Sequence, residues 1–132
     1  MRMPAPKRRN VLPSKGEMRL LRVLWELSEG TVEEVINHQR SASRPNYKTT
    51  QTLLRIMEKK GLVRHTSRGR VFVFEPLVTR DQVGRLSVRN LLEQNFGGSP
   101  TELVANLIEG TRIDKSELDQ LEALIREYRT KK

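Results

Sequence analysis

The 132-residue chain contains no cysteine. That absence removes disulfides, thiol redox sensing, thiolate zinc sites and copper–thiolate sensing together. Histidine is scarce as well. His38 and His65 are the whole supply, neither has a second ligand at metal spacing, and both read as ordinary surface or boundary residues. No metal and no cofactor are therefore expected. Aromatic residues number six, and the basic middle of the chain holds only Tyr47, which argues against single-strand binding by base stacking. No apolar run approaches the roughly 20 residues of a membrane helix, so no membrane insertion is expected. The opening Met1 to Arg9 is basic but lacks an apolar stretch, unlike a secretory signal, which points to a cytoplasmic, soluble protein. The parts of an enzyme are missing too: there is no phosphate-binding glycine loop, no HExxH pattern and no paired histidine. Glu33 and Glu34 are adjacent acids that point to different faces of a helix and read as solvated cap support. The chain is not expected to be an enzyme.

What the chain does have is positive charge, unevenly placed. The formal net charge is +9 and the pI is near 10.5. Residues 40 to 70 hold nine basic side chains (Arg40, Arg44, Lys48, Arg55, Lys59, Lys60, Arg64, Arg68, Arg70) against the single acid Glu58. Residues 97 to 132 hold six basic and seven acidic side chains, which is close to neutral. A merely solvated surface mixes signs; a basic cluster confined to one segment marks a polyanion site.

The local patterns place that segment in a known kind of architecture. Residues 1–11 are rich in Pro, Lys and Arg without periodicity and read as a disordered basic tail, a source of phosphate contacts or simply of solubility. Ser14 with Glu17 makes a capping box, and Met18, Leu21, Leu24, Trp25 and Leu27 give a first helix an apolar face, with Gly30 as its stop. Thr31 with Glu34 repeats the cap for a short helix carrying Val32, Val35 and Ile36. Ser41 to Pro45 is a polar connector. A third helix begins near Tyr47, with Lys48, Gln51, Thr52, Arg55 and Lys59 on one face, Leu53, Leu54, Ile56 and Met57 opposite, and Gly61 at its end. Strand-like Leu62 to Thr66, the basic tip Ser67-Arg68-Gly69-Arg70 and strand-like Val71 to Phe74 form a hairpin. Three helices and a hairpin over residues 12–78 make a winged helix-turn-helix.

A helix with one apolar face and one face of base- and phosphate-reading side chains suits the major groove of double-stranded DNA. Gln51 can take adenine bidentately, and Arg55 can take guanine or a phosphate. Lys48, Thr49 and Thr52 complete the face. Asn46 and Thr49 sit at the helix N-terminus, where backbone amides also favour phosphate. Arg68 and Arg70 on the wing reach toward the backbone or minor groove, whereas Lys59, Lys60 and Arg64 read as solvated or weak phosphate contacts. A different class of function, a winged helix that binds protein or RNA without reading DNA sequence, is the alternative. The basic third-helix face weighs against it.

After Pro76 the pattern becomes wholly helical. Thr79 caps a long helix with Val83, Leu86, Val88, Leu91, Leu92 and Phe96, closed by Gly97-Gly98. Ser99-Pro100-Thr101-Glu102 starts a second with Leu103, Val104, Leu107 and Ile108, ending at Gly110. Asp114 with Glu117 starts a third with Leu118, Leu121, Leu124, Ile125 and Tyr128 on one face. Three short helices within residues 79–132 bury too little surface alone, and a second copy of the chain supplies the missing core. The fold class is thus mainly α with a small β wing, a winged helix-turn-helix followed by a three-helix dimerisation region. The dimer contacts are expected from Leu91, Leu92, Leu103, Leu107, Leu118, Leu121, Leu124 and Ile125.

Several strings, at matching order and spacing, resemble the BlaI/MecI/CopY family of penicillinase-type repressors. They are Met18 to Glu26 with its Leu-Trp-Glu, Tyr47-Lys48-Thr49-Thr50, Met57 to Val63, Phe96-Gly97-Gly98-Ser99 and Leu103 to Leu107. The resemblance spans Leu12 to the C-terminus and implies a homodimeric repressor on a palindromic operator. In several family members a membrane-bound sensor-protease signals a cell-wall antibiotic, and the repressor is cut within its dimerisation helices, in some after an asparagine followed by phenylalanine. The matching place here is Asn106-Leu107, while a literal Asn95-Phe96 lies earlier, beside two glycines. Position favours the first bond, dipeptide identity the second. Copper-responsive members carry cysteines near the C-terminus; this chain has none, so it resembles the proteolysed branch or one with another release signal.

Overall fold

The computed structural model describes residues 11–39 and 46–131. The basic tail before Val11, the Ser41 to Pro45 connector and the candidate cations Arg40 and Arg44 lie outside the described residues. Element order is α1 (Lys15–Leu27), α2 (Val32–His38), α3 (Tyr47–Lys59), β1 (Val63–Arg68), β2 (Val71–Pro76), α4 (Arg80–Asn95), α5 (Pro100–Gly110) and α6 (Lys115–Thr130). The chain divides into two compact units, Met1–Val88 and Arg89–Lys132, with the division inside α4.

In the first unit, both expected capping boxes form. Ser14 and Thr31 each accept the N–H of the third helical residue, and Glu17 and Glu34 return the bond to the cap N–H. The stop of α1 differs from expectation. The left-handed residue is Ser28 (φ 74°), two positions before Gly30. Gly30 instead joins the sheet: its N–H donates to Phe74 O at 2.9 Å and its carbonyl accepts from Phe74 N at 2.8 Å. Its place is therefore set by the bridge to the wing rather than by the helix end, and a Cβ there would meet Leu27 and Val35 at ordinary contact distances of 3.4 and 3.5 Å.

The core joins α1 (Leu20, Leu21, Val23, Leu24), α2 (Val32, Val35, Ile36) and α3 (Leu54, Met57) to Leu62, Val63 and Phe74 of the hairpin region. Val83, on the first turn of α4, reaches the same core. Trp25 fixes the start of that helix. Its indole N–H donates to Val78 O at 2.9 Å, and the Arg80 guanidinium lies 5.4 Å from its ring centroid. Thr79 and Gln82 form a further capping box for α4. The second unit is built differently. Asn95 ends α4, Gly97 (φ 55°) and Gly98 (φ 79°) make the turn, and Ser99 and Asp114 cap α5 and α6. Neither α5 nor α6 contains a buried residue.

Candidate nucleic-acid interface

The third helix is closed at both ends by its own sequence. Asn46 Oδ1 accepts the Lys48 N–H at 2.7 Å, so its side chain acts first as a cap. At the other end Gly61 (φ 81°) allows Leu62 N–H to bond Met57 O and Gly61 N–H to bond Glu58 O, a Schellman closure. No acid lies in the first turn, which leaves the positive end of the helix unopposed. Thr50, Leu54 and Met57 anchor the inner face. Ile56 does not join them. It is 40% exposed, because at 100° per residue it falls beside Thr52 rather than beside Leu54. The outer face therefore reads Lys48, Thr49, Thr52, Arg55, Ile56 and Lys59, all exposed.

Gln51 is half-buried. With Arg55, Arg70 and Phe72 it lines a cleft of about 200 Å³ between α3, the α2 N-terminus and the hairpin. The wing is tighter than expected. Val63 to Arg68 pairs antiparallel with Val71 to Pro76, so Ser67 and Arg68 belong to the ladder and only Gly69-Arg70 form the turn. Gly69 takes φ +64° at the first turn position, as a II′ hairpin turn requires.

Tertiary structure sorts the basic cluster into two classes. Three of its members are already paired with acids. Lys60 Nζ lies 3.0 and 2.9 Å from the two carboxylate oxygens of buried Glu17, binding the end of α3 to the start of α1. Arg64 Nε bonds its cross-strand neighbour Glu75. Lys60 is thus a structural pair rather than the solvated or weak phosphate contact expected of it, whereas Arg64 stays solvent-exposed, as expected, while pairing with Glu75. Arg68 bonds Glu29 in the α1–α2 turn at 2.6 and 3.0 Å. Hydrogen bonding and attraction from that carboxylate hold the guanidinium pKa above its ordinary value. The remaining cations, Lys48, Arg55, Lys59 and Arg70, have no side-chain acid partner among the described residues. They lie on the outer face of α3 and at the wing turn, where a polyanion would supply the missing charge.

Three functional neighbours were not visible in the sequence. Glu29 faces Arg68 across 39 positions. Glu58, the lone acid of the basic segment, accepts the backbone N–H of His65 at 3.1 Å and its ring Nδ1–H at 2.8 Å. Glu17 binds Lys60 from 43 positions away. Only the spacing of Glu58 on α3 carried any signal, as an acid among bases without an obvious partner.

Among the described residues no group of side chains could hold a metal ion, and no helix is long and apolar enough to cross a membrane. The family model for the penicillinase repressor matches residues 13–127. The chain is 28% identical to the penicillinase repressor of Bacillus licheniformis over 90% of its own length and 93% of that protein. It is 20% identical to the methicillin resistance regulatory protein MecI of Staphylococcus aureus over 85% of its length and 91% of that protein. Among solved structures, the DNA-binding domain of the repressor BlaI aligns at 31% identity with a TM-score of 0.47, covering 61% of this chain and 93% of that one. The monomeric form of Bacillus licheniformis BlaI, in complex with the blaP half-operator, aligns at 35% identity with a TM-score of 0.44, covering 52% and 84%. A match through 115 of 132 residues, across both units, places the chain in the penicillinase repressor family, whose members are DNA-binding transcriptional repressors and not enzymes.

Proposed function

We propose that the chain is a homodimeric repressor that reads a palindromic operator with α3 and is released when its helical half is cut. The sorting of charge carries the reading. Of the cations between Asn46 and Arg70, those left without an acid lie on the outer face of α3 and at the wing turn. On this reading Lys48, Thr49, Gln51, Thr52 and Arg55 meet the major groove, Gln51 and Arg55 through base edges. Arg70 takes phosphate directly. Arg68 takes it only by exchanging Glu29 for it, which lowers its net contribution. Asn46 supports the contact as a cap and by orienting the first amides of α3 toward phosphate.

The dimer reading is supported by what the helices leave bare. Leu91, Leu107, Leu118, Leu124 and Ile125 are 38–62% exposed, and Leu92, Leu103 and Leu121 are only half-buried. Apolar side chains on three consecutive helices without a buried residue in α5 or α6 require a partner surface, and a second copy meets it with twofold symmetry. Two α3 helices then reach half-sites whose centres are about 10 bp, or a multiple of it, apart.

For release, a membrane sensor-protease acting in the helical half is the proposed route. Asn106 lies inside α5, exposed, with its Nδ2 donating to Glu102 O at 2.9 Å. Asn95 is the last residue of α4, followed by Phe96 and the two-glycine turn. Cutting at Asn106-Leu107 requires local opening of α5, whereas Asn95-Phe96 needs only fraying of a helix end. Either cut separates α6 from the DNA-reading half and removes the avidity of two linked half-sites. The test of the whole reading is binding to duplexes selected from a random pool. Enrichment of an inverted repeat supports it, and enrichment of single sites or of none rejects it.

A further inference from the structure

Glu58 presents a problem that His65 solves. It sits on α3 one turn after Arg55, and the other residues three or four positions away are Leu54, Gly61 and Leu62. Arg55 is thus the one cation at helix-neighbour spacing, and a free Glu58 carboxylate would fold back onto it. Arg55, Glu58 and His65 line the same cleft of about 510 Å³ with Lys59, Phe72 and Phe74, so the reach exists. In the structure that contact is not made. Both Glu58 oxygens lie 2.8 Å from His65 Nδ1, and Oε2 also accepts the His65 backbone N–H at 3.1 Å. Because a carboxylate only accepts, Nδ1 carries the proton. The imidazole is itself held by rings, with centroids 4.3 Å from Phe72 and 5.6 Å from Phe74. Arg55 is left with no acid partner among the described residues.

We propose that His65 is a positioning residue for DNA reading: it holds the Glu58 carboxylate on the wing and so keeps the Arg55 guanidinium free for the groove. The inference rests on the reading of Arg55 as a DNA contact, and it adds a role for the wing strand that involves no contact with DNA. His65→Phe keeps the ring stack and removes the Nδ1–H donor. His65→Asn keeps a donor near the same place.

The test uses the full chain, a duplex selected by the wild-type chain from a random pool, and an unselected duplex of equal length, with thermal unfolding run on each variant. His65→Phe should lose roughly two- to fourfold affinity for the selected duplex, the scale of a helix-surface ion pair diverting Arg55. His65→Asn should retain affinity. Adding Glu58→Gln to His65→Phe should restore it, and adding Arg55→Ala to His65→Phe should cost no more than Arg55→Ala alone. A purely structural role predicts the opposite, because Glu58→Gln would then leave the loss in place or deepen it, and that result overturns the proposal. So does an unchanged affinity for His65→Phe. If Arg55→Ala itself binds the selected duplex like wild type, the proposal falls together with the reading of Arg55, and the single variant identifies that as the cause.

Discussion

The two units of this chain are made of helices with equally clear caps, yet they end in opposite states. In the winged unit, α1, α2, α3 and the hairpin close around Leu21, Leu24, Val35, Leu54, Met57 and Phe74, each at most 2% exposed. In the helical unit, α5 and α6 bury nothing, and Leu124, Ile125 and Tyr128 stand 59–63% exposed. Capping decides where a helix starts and stops; it does not decide whether the helix has a core. The winged unit finds its core in its own long-range contacts. On the proposed reading, the helical unit finds its core against a second copy of the chain.

The largest expected effects break this contrast from its two ends. Replacing Leu121 or Leu124 by Asp should reduce operator affinity about 10²-fold or more through lost avidity, without touching a DNA contact. Binding to a single half-site should be unchanged. Phe74→Ala should cost about 3–5 kcal/mol of winged-unit stability by opening a cavity at the point where α1, α3 and Gly30 meet the wing. Urea unfolding of the full chain reads it out, and an effect below about 1 kcal/mol would mean that the core is not closed there.

The sequence made the elements legible and their partners mostly not. Every expected N-cap, at Ser14, Thr31, Thr79, Ser99 and Asp114, forms, because such a cap is a contact between residues three apart. Ile56 was misplaced because a run of four apolar residues wraps round the helix, and only packing shows which belong to the core. Gly30 looked like a helix stop because a strand bridge to a residue 44 positions later leaves no local trace. The charge cluster was visible as composition, but Lys60, Arg64 and Arg68 were removed from it by acids brought in by the fold. The stripe Lys48, Thr52, Arg55 was legible because a helix repeats itself locally; its unpaired state was not.

Smaller effects sharpen the same picture within the DNA face. Gln51→Ala should cost roughly 1–3 kcal/mol on a selected duplex and relax preference at one base pair per half-site, with little change on random DNA. Equal losses on both duplexes would remove base reading from its role. Arg70→Ala should weaken every sequence alike and lower the salt slope by about one unit. Arg68→Ala should do less, since its removal also frees Glu29; a loss as large as that of Arg70→Ala would show that the Glu29 pair does not persist at the interface.

Sedimentation velocity of the full chain, wild type beside Leu124→Asp, decides whether the exposed helical face joins two copies of the chain. The wild type should sediment as a dimer at micromolar concentration, and Leu124→Asp as a folded monomer whose winged unit keeps its unfolding midpoint. A wild-type chain that stays monomeric at tens of micromolar, or a Leu124→Asp variant that stays dimeric, would contradict the dimer reading.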